Sequence, residues 1–291
     1  MPLFSVIIPV HNRYRPVKEA IDSVLSQTFS GHELIVVDDG STDDTPRVAE
    51  EYADRIRYLR RENRGVSAAR NTGVAASSAP WLAFLDSDDR WLPGKLERQA
   101  RFIRENPGIM IHQTDETWIR RGRRVNPRER HLKREGHIFI DSLELCLISP
   151  SAAVMSRECF DRYGPFDEDL PACEDYDLWL RVTARERVGL APERLVVRHG
   201  GHPDQLSARY PAMDRFRVYA ILKLLEREGA SLPPEYSGRA AAVAAEKTRI
   251  LRDGALKRKR LGFAEKLDAV MRMFEAGKIC AGKCRFLLEG D

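Results

Sequence analysis

Two short, unbroken apolar runs each stop at a cluster of aspartates. Glu33-Leu34-Ile35-Val36-Val37 leads into Asp38-Asp39-Gly40-Ser41, and Trp81-Leu82-Ala83-Phe84-Leu85 leads into Asp86-Ser87-Asp88-Asp89. A continuous run of aliphatic and aromatic residues bounded by turn formers reads as a strand buried on both faces of a parallel sheet. In open α/β sheets, ligands bind in the crevice beyond the carboxyl ends of the strands. Acidic clusters at two such ends repel each other unless positive charge lies between them. A divalent cation carrying a phosphorylated ligand meets that need, because carboxylate oxygens suit Mg²⁺ or Mn²⁺. The pattern points to a catalytic site on an α/β fold.

The rest of the first hundred residues fits such a sheet. Leu3–Pro9 reads as an opening strand, lacking the charged n-region and cleavage site of a signal peptide. Pro16–Ser26 places Val17, Ala20, Ile21, Val24 and Leu25 at helical spacing. After the Glu33–Asp38 strand, Ser41-Thr42-Asp43-Asp44-Thr45-Pro46 supplies capping residues and an early proline for a helix running to Tyr52. Ile56–Arg60 and Trp81–Leu85 follow as strands, and Val66–Ser77 and Pro93–Glu105 as helices. Strands alternating with helices of this length predict a doubly wound parallel sheet.

Farther on the pattern loosens. Ile109–Gln113 and Thr117–Arg120 read as strands, the second turning at Gly122, and Ala152–Met155 as another. The strongly basic stretch Arg120–Arg134 has two readings, a solvated loop, or a mobile lid or acceptor contact. A helix opens around Glu174-Asp175-Tyr176-Asp177-Leu178-Trp179-Leu180, with acids in its first turn where they suit the dipole. Leu195–Arg198 is one more strand, running into His199-Gly200-Gly201-His202. From Met213 three helical segments follow, Met213–Glu228, Glu235–Arg260 and Phe263–Leu288. Lys257-Arg258-Lys259-Arg260 closes the second. It either complements that helix's dipole or meets anionic lipid or a partner protein. The helical tail also offers a homodimer surface.

Length and composition bound the class. A chain of 291 residues accommodates one large α/β domain plus an appendage. A net charge of +4, with both signs mixed along most of the sequence, demands no nucleic acid partner. No stretch approaches the roughly 18 apolar residues that span a bilayer. The five cysteines are scattered, and Cys280 and Cys284 lie in a helical stretch without a histidine nearby, so free thiols are expected.

Joined to what flanks them, the aspartate clusters give the chain a strong resemblance to the family 2 glycosyltransferases of the GT-A fold. The residues that carry it are Val6-Ile7-Ile8-Pro9-Val10-His11-Asn12-Arg13 and Val36-Val37-Asp38-Asp39-Gly40-Ser41-Thr42-Asp43. Asn63, Gly65, Ser67, Ala69-Arg70-Asn71 and Gly73 form a third group, Phe84-Leu85-Asp86-Ser87-Asp88-Asp89 a fourth and Glu174-Asp175-Tyr176-Asp177-Leu178-Trp179 a fifth. Each alone is a weak signal, whereas five in the family's order over roughly residues 3 to 210 are specific. The resemblance implies a Rossmann-like, mixed but mainly parallel sheet flanked by helices. It further implies a catalytic domain over 1–210, with a nucleotide-binding half (1–105) and an acceptor-binding half (106–210). The C-terminal helical extension, an appendage over 211–291, lies outside the resemblance and rests on the change of pattern from Met213.

The same resemblance implies roles. Pro9, Val10, Asn12 and Arg13 wrap the nucleotide of a sugar donor, and Asp39 accepts a hydrogen bond from its base. Asp38 has the alternative of only capping the following helix. Arg70 neutralises the donor diphosphate. Asp86-Ser87-Asp88 is the family's DXD motif, with Asp88 on Mn²⁺ or Mg²⁺ and Asp86 and Ser87 nearer the ribose and sugar. Asp89 is a capping or supporting residue. Asp175 is the expected base of an inverting transfer and Glu174 an acceptor contact. His199 is a further metal or diphosphate ligand, with His202 the fallback. No Gln-x-x-Arg-Trp of the processive synthases is found. The expectation is a single-addition enzyme of the cytoplasm, peripheral at the membrane if its acceptor is lipid-linked.

Two rival classes stand beside this one. A nucleotidyltransferase shares the sheet but usually opens with a Gly-rich basic loop, whereas His11-Asn12-Arg13-Tyr14-Arg15 has no glycine. A non-catalytic nucleotide-sugar-binding or scaffolding protein is the other, against which the complete set Asp39, Asp88 and Asp175 argues.

Overall fold

Both faces of the first two strands are buried, as their unbroken apolar runs require. The computed structural model describes residues 1–201 and 209–289. β1 (Phe4–Val10) and β2 (His32–Asp38) run parallel, in register from Phe4 opposite His32 to Val10 opposite Asp38. Phe4, Val6, Ile8 and Val10 pack with Val17, Ala20, Ile21 and Val24 of α1 (Tyr14–Leu25). Ile35 and Val37 pack instead with Ala69 of α3 (Val66–Ala76), while α2 (Val48–Tyr52) follows a short 3₁₀ turn at Thr45–Arg47. β3 (Arg57–Arg60) pairs parallel with β2, and β4 (Trp81–Phe84) pairs parallel with β1. Four parallel strands thus deliver Val10, Asp38 and the turn that begins at Asp86 to one edge of the sheet.

Beyond β4 the direction changes. β8 (Ala153–Ser156) is antiparallel to β4 and to β6 (Ile111–Arg120), and β6 runs parallel to β9 (Val188–Gly200). β5 (Arg90–Trp91) pairs antiparallel with β9, completing a nine-stranded sheet in the order β3-β2-β1-β4-β8-β6-β9-β5, with β7 (Arg123–Val125) attached to β6. The sheet is therefore mixed. α4 (Lys95–Glu105) and α6 (Arg157–Tyr163) complete this part of the chain, α6 being capped by Ser156, whose hydroxyl accepts from the Cys159 amide.

Two compact units result. One comprises Met1–Ile138, Leu147–Glu168 and Glu186–His202, and the other Phe139–Cys146, Asp169–Arg185 and Pro203–Asp291. The second holds α5 (Phe139–Glu144), α7 (Glu174–Thr183), α8 (Asp214–Glu228), α9 (Pro234–Lys257), α10 (Leu261–Glu275) and α11 (Phe286–Glu289). Its core contains Phe139, Leu143, Tyr176, Leu180, Phe216, Ile221, Ala240, Leu267 and Leu287. Buried Asp177 of α7 accepts from Lys223 of α8 at 2.8 Å and from Arg181 at 2.9 Å, so its charge is neutralised inside this unit.

β5, β7, α5 and α6 have no counterpart in the sequence pattern, and three expected elements take another form. The two strands expected between Ile109 and Arg120 are one, continued through register irregularities at Asp115. β9 begins seven residues before Leu195, and the same irregularity lets it pass Pro192, which cannot donate to a ladder. The last helix is not continuous to Leu288. Gly277 takes φ +63, Lys278 N–H bonds the Met273 carbonyl and Gly277 N–H bonds the Phe274 carbonyl, a Schellman stop. Among the described residues no helix is long and apolar enough to cross a membrane.

Gly73 of α3 faces the sheet, and a Cβ there would stand 2.4 Å from Ile7 Cγ2 and 3.3 Å from Val37 Cγ2. Those atoms belong to buried, β-branched side chains that cannot swing away. Gly73→Val is expected to lower unfolding free energy by about 2 kcal/mol through overpacking, read as an earlier denaturant midpoint at unchanged slope.

Candidate active site

The loops that follow β1, β2 and β3 are laced together by side chains reaching for backbone amides. Asn12, at φ +52, accepts at Oδ1 from the Thr42 amide (2.7 Å) and the Asp43 amide (3.3 Å), while its own amide donates to Ser41 Oγ (2.9 Å). Asp38 is fully buried. One of its oxygens accepts from the Ser41 amide and the other from the Tyr58 hydroxyl, so it closes its own turn. Asp39 is 3 % exposed and accepts from the Gly65 amide at 2.7 Å and the Arg64 amide at 3.1 Å, with Arg61 Nε at 3.3 Å. Gly40, at φ +76, lets the Asn63 backbone pass close by, since a Cβ would meet its nitrogen at 2.8 Å. Asp39 therefore fixes the loop ahead of α3.

The Asp86–Asp89 turn gathers cations from two separate segments. Arg70 of α3, buried at 3 % exposure, donates from Nη2 to Asp86 Oδ1 at 2.7 Å and stacks over Phe166 at 5.1 Å. Arg13, in the loop after β1, reaches Asp88 Oδ2 at 2.5 Å. Ser87 is buried between them. Asp89 is also buried, and burial together with the charges of Asp88 and Asp86 pushes its carboxyl well above the usual carboxylate range. Its Oδ2 accepts from Ser151 Oγ at 2.6 Å and its Oδ1 from the His199 amide at 2.9 Å. Ser151 Oγ also accepts from the Asp86 amide at 3.1 Å, so one hydroxyl holds both ends of the turn.

His199, near the end of β9, faces the Asp88 carbonyl through Nδ1 at 2.9 Å. A carbonyl only accepts, which assigns the proton to Nδ1 and leaves a lone pair on Nε2, 3.4 Å from Arg90 Nη2. Burial, with the nearby Arg90 charge, depresses the His199 pKa. A neutral imidazole whose Nε2 lone pair faces Arg90 Nη2, and two partly exposed carboxylates one residue apart, suit Mn²⁺ or Mg²⁺, which bind through one or two carboxylates plus phosphate oxygens. Among the described residues no three His, Cys, Asp or Glu side chains form a self-sufficient metal cage. His202 lies outside the described residues. Cys280 and Cys284 are free, Cys284 Sγ donating to the Cys280 carbonyl.

Arg13, Arg70, Asp86, Asp88 and His199 thus come together in the first unit, and Asp39 follows the end of β2, the strand paired with β1. Glu174 and Asp175 stand in the first turn of α7 in the second unit, behind Cys173 at φ +63. Glu174 is buried, and Asp175 is partly exposed. Asp175 accepts from the Tyr176 amide at 2.7 Å and from Cys146 Sγ at 3.5 Å.

Two buried polar residues that organise this region escaped the sequence. Ser151 carries no motif, and only its position in Ser149-Pro150-Ser151 ahead of β8 hints at a role. Glu116 of β6 is the other. Burial opposes its ionisation, but Lys133 at 3.3 Å, Arg198 at 3.5 Å and hydrogen bonds from Ser149 and Trp118 prevail and hold it down at about 2. Because that value lies below the unfolded one, ionised Glu116 stabilises the fold above the unfolded pKa, and this is lost as pH falls from 4.5 towards 2. In pH-dependent unfolding, wild type should lose about 3 kcal/mol over that window, and Glu116→Gln should lack this slope. Ser151→Ala should cost about 1–3 kcal/mol by leaving a buried oxygen and an amide without their partner, with Ser151→Thr close to wild type in the same denaturant titration.

Known proteins resemble this chain in sequence and in fold. The chain matches the sequence model of glycosyl transferase family 2 over residues 5–164. Asp39, Arg70 and the Asp86–Asp89 turn lie inside that match, and Glu174, Asp175 and His199 beyond it. An uncharacterized glycosyltransferase of Rickettsia prowazekii is 35% identical over 185 residues, 62% of this chain and 58% of that protein, so the match spans less than two thirds of its length. The Escherichia coli protein named UDP-Glc:alpha-D-GlcNAc-diphosphoundecaprenol beta-1,3-glucosyltransferase WfgD is 33% identical over 185 residues, covering 62% of this chain and 69% of that one. Among solved structures, S. aureus TarS 1-349 in complex with UDP-GlcNAc superposes with a TM-score of 0.65 at 19% identity, over 99% of this chain and 91% of that one. The mannosyltransferase PcManGT from Pyrobaculum calidifontis, in complex with GDP-Man and Mn²⁺, gives 0.58 at 18% identity, over 100% and 88%. At these identities the structural likeness concerns the fold, which is that of the GT-A glycosyltransferases. With residues 5–164 of its 291 matched, the chain belongs to glycosyl transferase family 2, a family of transferase enzymes.

Proposed function

We propose that this protein is a metal-dependent, inverting glycosyltransferase that moves a single sugar from a nucleotide-diphosphate sugar to a hydroxyl acceptor. The acceptor is a saccharide or lipid-linked saccharide of polysaccharide or glycoconjugate assembly, and the donor is a UDP-sugar. The observation that carries this reading is the pairing of Arg70 with Asp86 and of Arg13 with Asp88 at the aligned ends of parallel strands. Carboxylates and guanidinium groups so interleaved suit a diphosphate and its counter-cation. The donor class is supported by neighbours that hold UDP-GlcNAc, UDP or GDP-Man, and by the UDP-Glc in the name of the Escherichia coli relative.

In this reading Pro9, Val10, Asn12 and Arg13 border the nucleotide. Asp39, already oriented by loop amides, presents its carboxylate edge to the base. Asp86 and Ser87 stand by the ribose and sugar, and Arg70 offsets diphosphate charge. Asp88 and His199 would hold Mn²⁺ or Mg²⁺, whose chemistry is to neutralise charge on the departing diphosphate. Asp175 removes the proton of the attacking acceptor hydroxyl as its oxygen bonds the anomeric carbon and the bond to the diphosphate breaks. Such a base is worth about 10²–10⁴-fold in rate. Glu174 binds acceptor hydroxyls. The enzyme then works in the cytoplasm, at the inner membrane face when its acceptor is lipid-linked.

The test is donor binding and nucleoside diphosphate release over a nucleotide-sugar panel, with Mn²⁺, with Mg²⁺ and with chelator. Asp88→Ala should weaken metal-dependent donor binding at least about tenfold. Asp175→Asn should bind donor like wild type but turn over about 10²–10⁴-fold more slowly. If no nucleotide sugar binds with or without metal, the enzyme reading fails.

A further inference from the structure

The β6–β7 hairpin carries positive charge that the fold neither needs nor neutralises. Residues 120–134 contain seven arginines and a single carboxylate, Glu129. Arg120, Arg121, Arg123, Arg124, Arg128 and Arg130 are all exposed. Among the described residues none of the six forms an ion pair with a carboxylate. Cations deeper in the same region are treated differently. Lys133 and Arg198 both reach buried Glu116, and Arg198 lies 5.6 Å from the Trp118 ring.

The hairpin's geometry adds to the imbalance. Arg120 stands directly opposite Arg123 across the ladder, and like charges so placed are destabilising. The connecting Arg121-Gly122 takes φ +50 and +73, the two-residue turn that favours Asn-Gly or Asp-Gly. An arginine at the first of these positions adds charge where an asparagine would turn the chain more easily. Three local choices therefore work against the hairpin in isolation and favour contact with an external anion. Leu132, 47% exposed, and the partly exposed Trp118 add the apolar component that a lipid interface accommodates.

We propose that this hairpin is a docking surface for an anionic lipid bilayer. Clusters of four to eight basic residues have the charge that acidic headgroups recognise. The position is apt, because Ile119 is in register with His199 and Arg120 with Gly200. A docked hairpin holds the candidate donor site beside the membrane, where a lipid-linked acceptor resides. That link to the acceptor rests on the glycosyltransferase reading, whereas the docking surface does not.

Co-sedimentation of the full chain with vesicles of phosphatidylglycerol in phosphatidylethanolamine, against phosphatidylcholine alone, tests it. Wild type should sediment with the anionic vesicles at low salt and be released at high salt. The variant Arg120→Ser/Arg123→Ser/Arg124→Ser should bind about a hundredfold more weakly, roughly a factor of five per cation. Lys257→Ser/Arg258→Ser/Lys259→Ser should sediment like wild type. If the triple hairpin variant fails to fold by circular dichroism, single Arg123→Ser and Arg124→Ser variants should each show the roughly fivefold loss. Equal binding to both vesicle types, or a folded hairpin variant that sediments like wild type, overturns the proposal. So does an oligonucleotide that binds these arginines more tightly than vesicles do. Donor binding measured without vesicles keeps failure of the glycosyltransferase reading separate from failure of this one.

Discussion

Three aspartates within four positions repel one another, and the relief of that repulsion organises the chain around them. Asp86 is met by Arg70 from α3, and Asp88 by Arg13 from the loop after β1. Asp89 is relieved differently. Burial and its two acidic neighbours favour its protonated form, while Ser151 and the His199 amide occupy its oxygens. Each remedy comes from a different segment, so the turn after β4 draws four parts of the chain to one edge of the sheet. A buried carboxyl group left without hydrogen bonds costs several kcal/mol, roughly, and both Asp89 oxygens have a partner.

Asp39 and Glu116 repeat the principle at either side. Asp39 accepts from the amides of Arg64 and Gly65 and thereby shapes the entry to α3. Glu116 gathers Lys133, Arg198, Ser149 and Trp118. Ser149 and Ser151 flank Pro150, and each gives its hydroxyl to a different buried carboxylate, Glu116 or Asp89. This three-residue segment thus ties the acid of β6 to the acid of the turn after β4. Coupling of this kind makes the effects of substitutions at Glu116, Ser149, Ser151 and Asp89 non-additive.

How much of this was legible in sequence follows from range. β1, β2, β4 and the helices among them were readable, because burial on both faces leaves an unbroken apolar run and the breaks fall at turn formers, whereas β3 keeps Arg57 and Arg60 exposed. Asp86 and Asp88 were readable because two carboxylates beyond a strand end are conspicuous. The second half was harder, since β6 and β9 are long strands whose irregularity at Asp115 and Pro192 interrupts period-two alternation. The stop at Gly277 was visible in principle, a glycine in an otherwise helical stretch, but a lone glycine inside a helix is common enough to be passed over. Ser151 had no local signal, because its partners Asp86 and Asp89 lie more than sixty residues away in the chain. Composition changes near residue 211, yet the compact unit that holds the later helices also takes in Phe139–Cys146 and Asp169–Arg185, which only tertiary contact reveals.

Ribosomal synthesis delivers Phe139–Cys146 and Asp169–Arg185 before the residues they pack against. Leu143, Tyr176 and Leu180 find core neighbours from Phe216 through Leu267 to Leu287. Until those emerge, α7 has α5 but lacks the helix α8 of its core, and Asp177 has no Lys223 to accompany its burial. The four parallel strands, by contrast, are complete once Phe84 has left the tunnel, with their helical partners interleaved among them. Chains fold as units, the earlier-made first. The nascent protein therefore acquires its aspartate-bearing strand ends early and the helix with Glu174 and Asp175 last, a chronology set by which segments share a core.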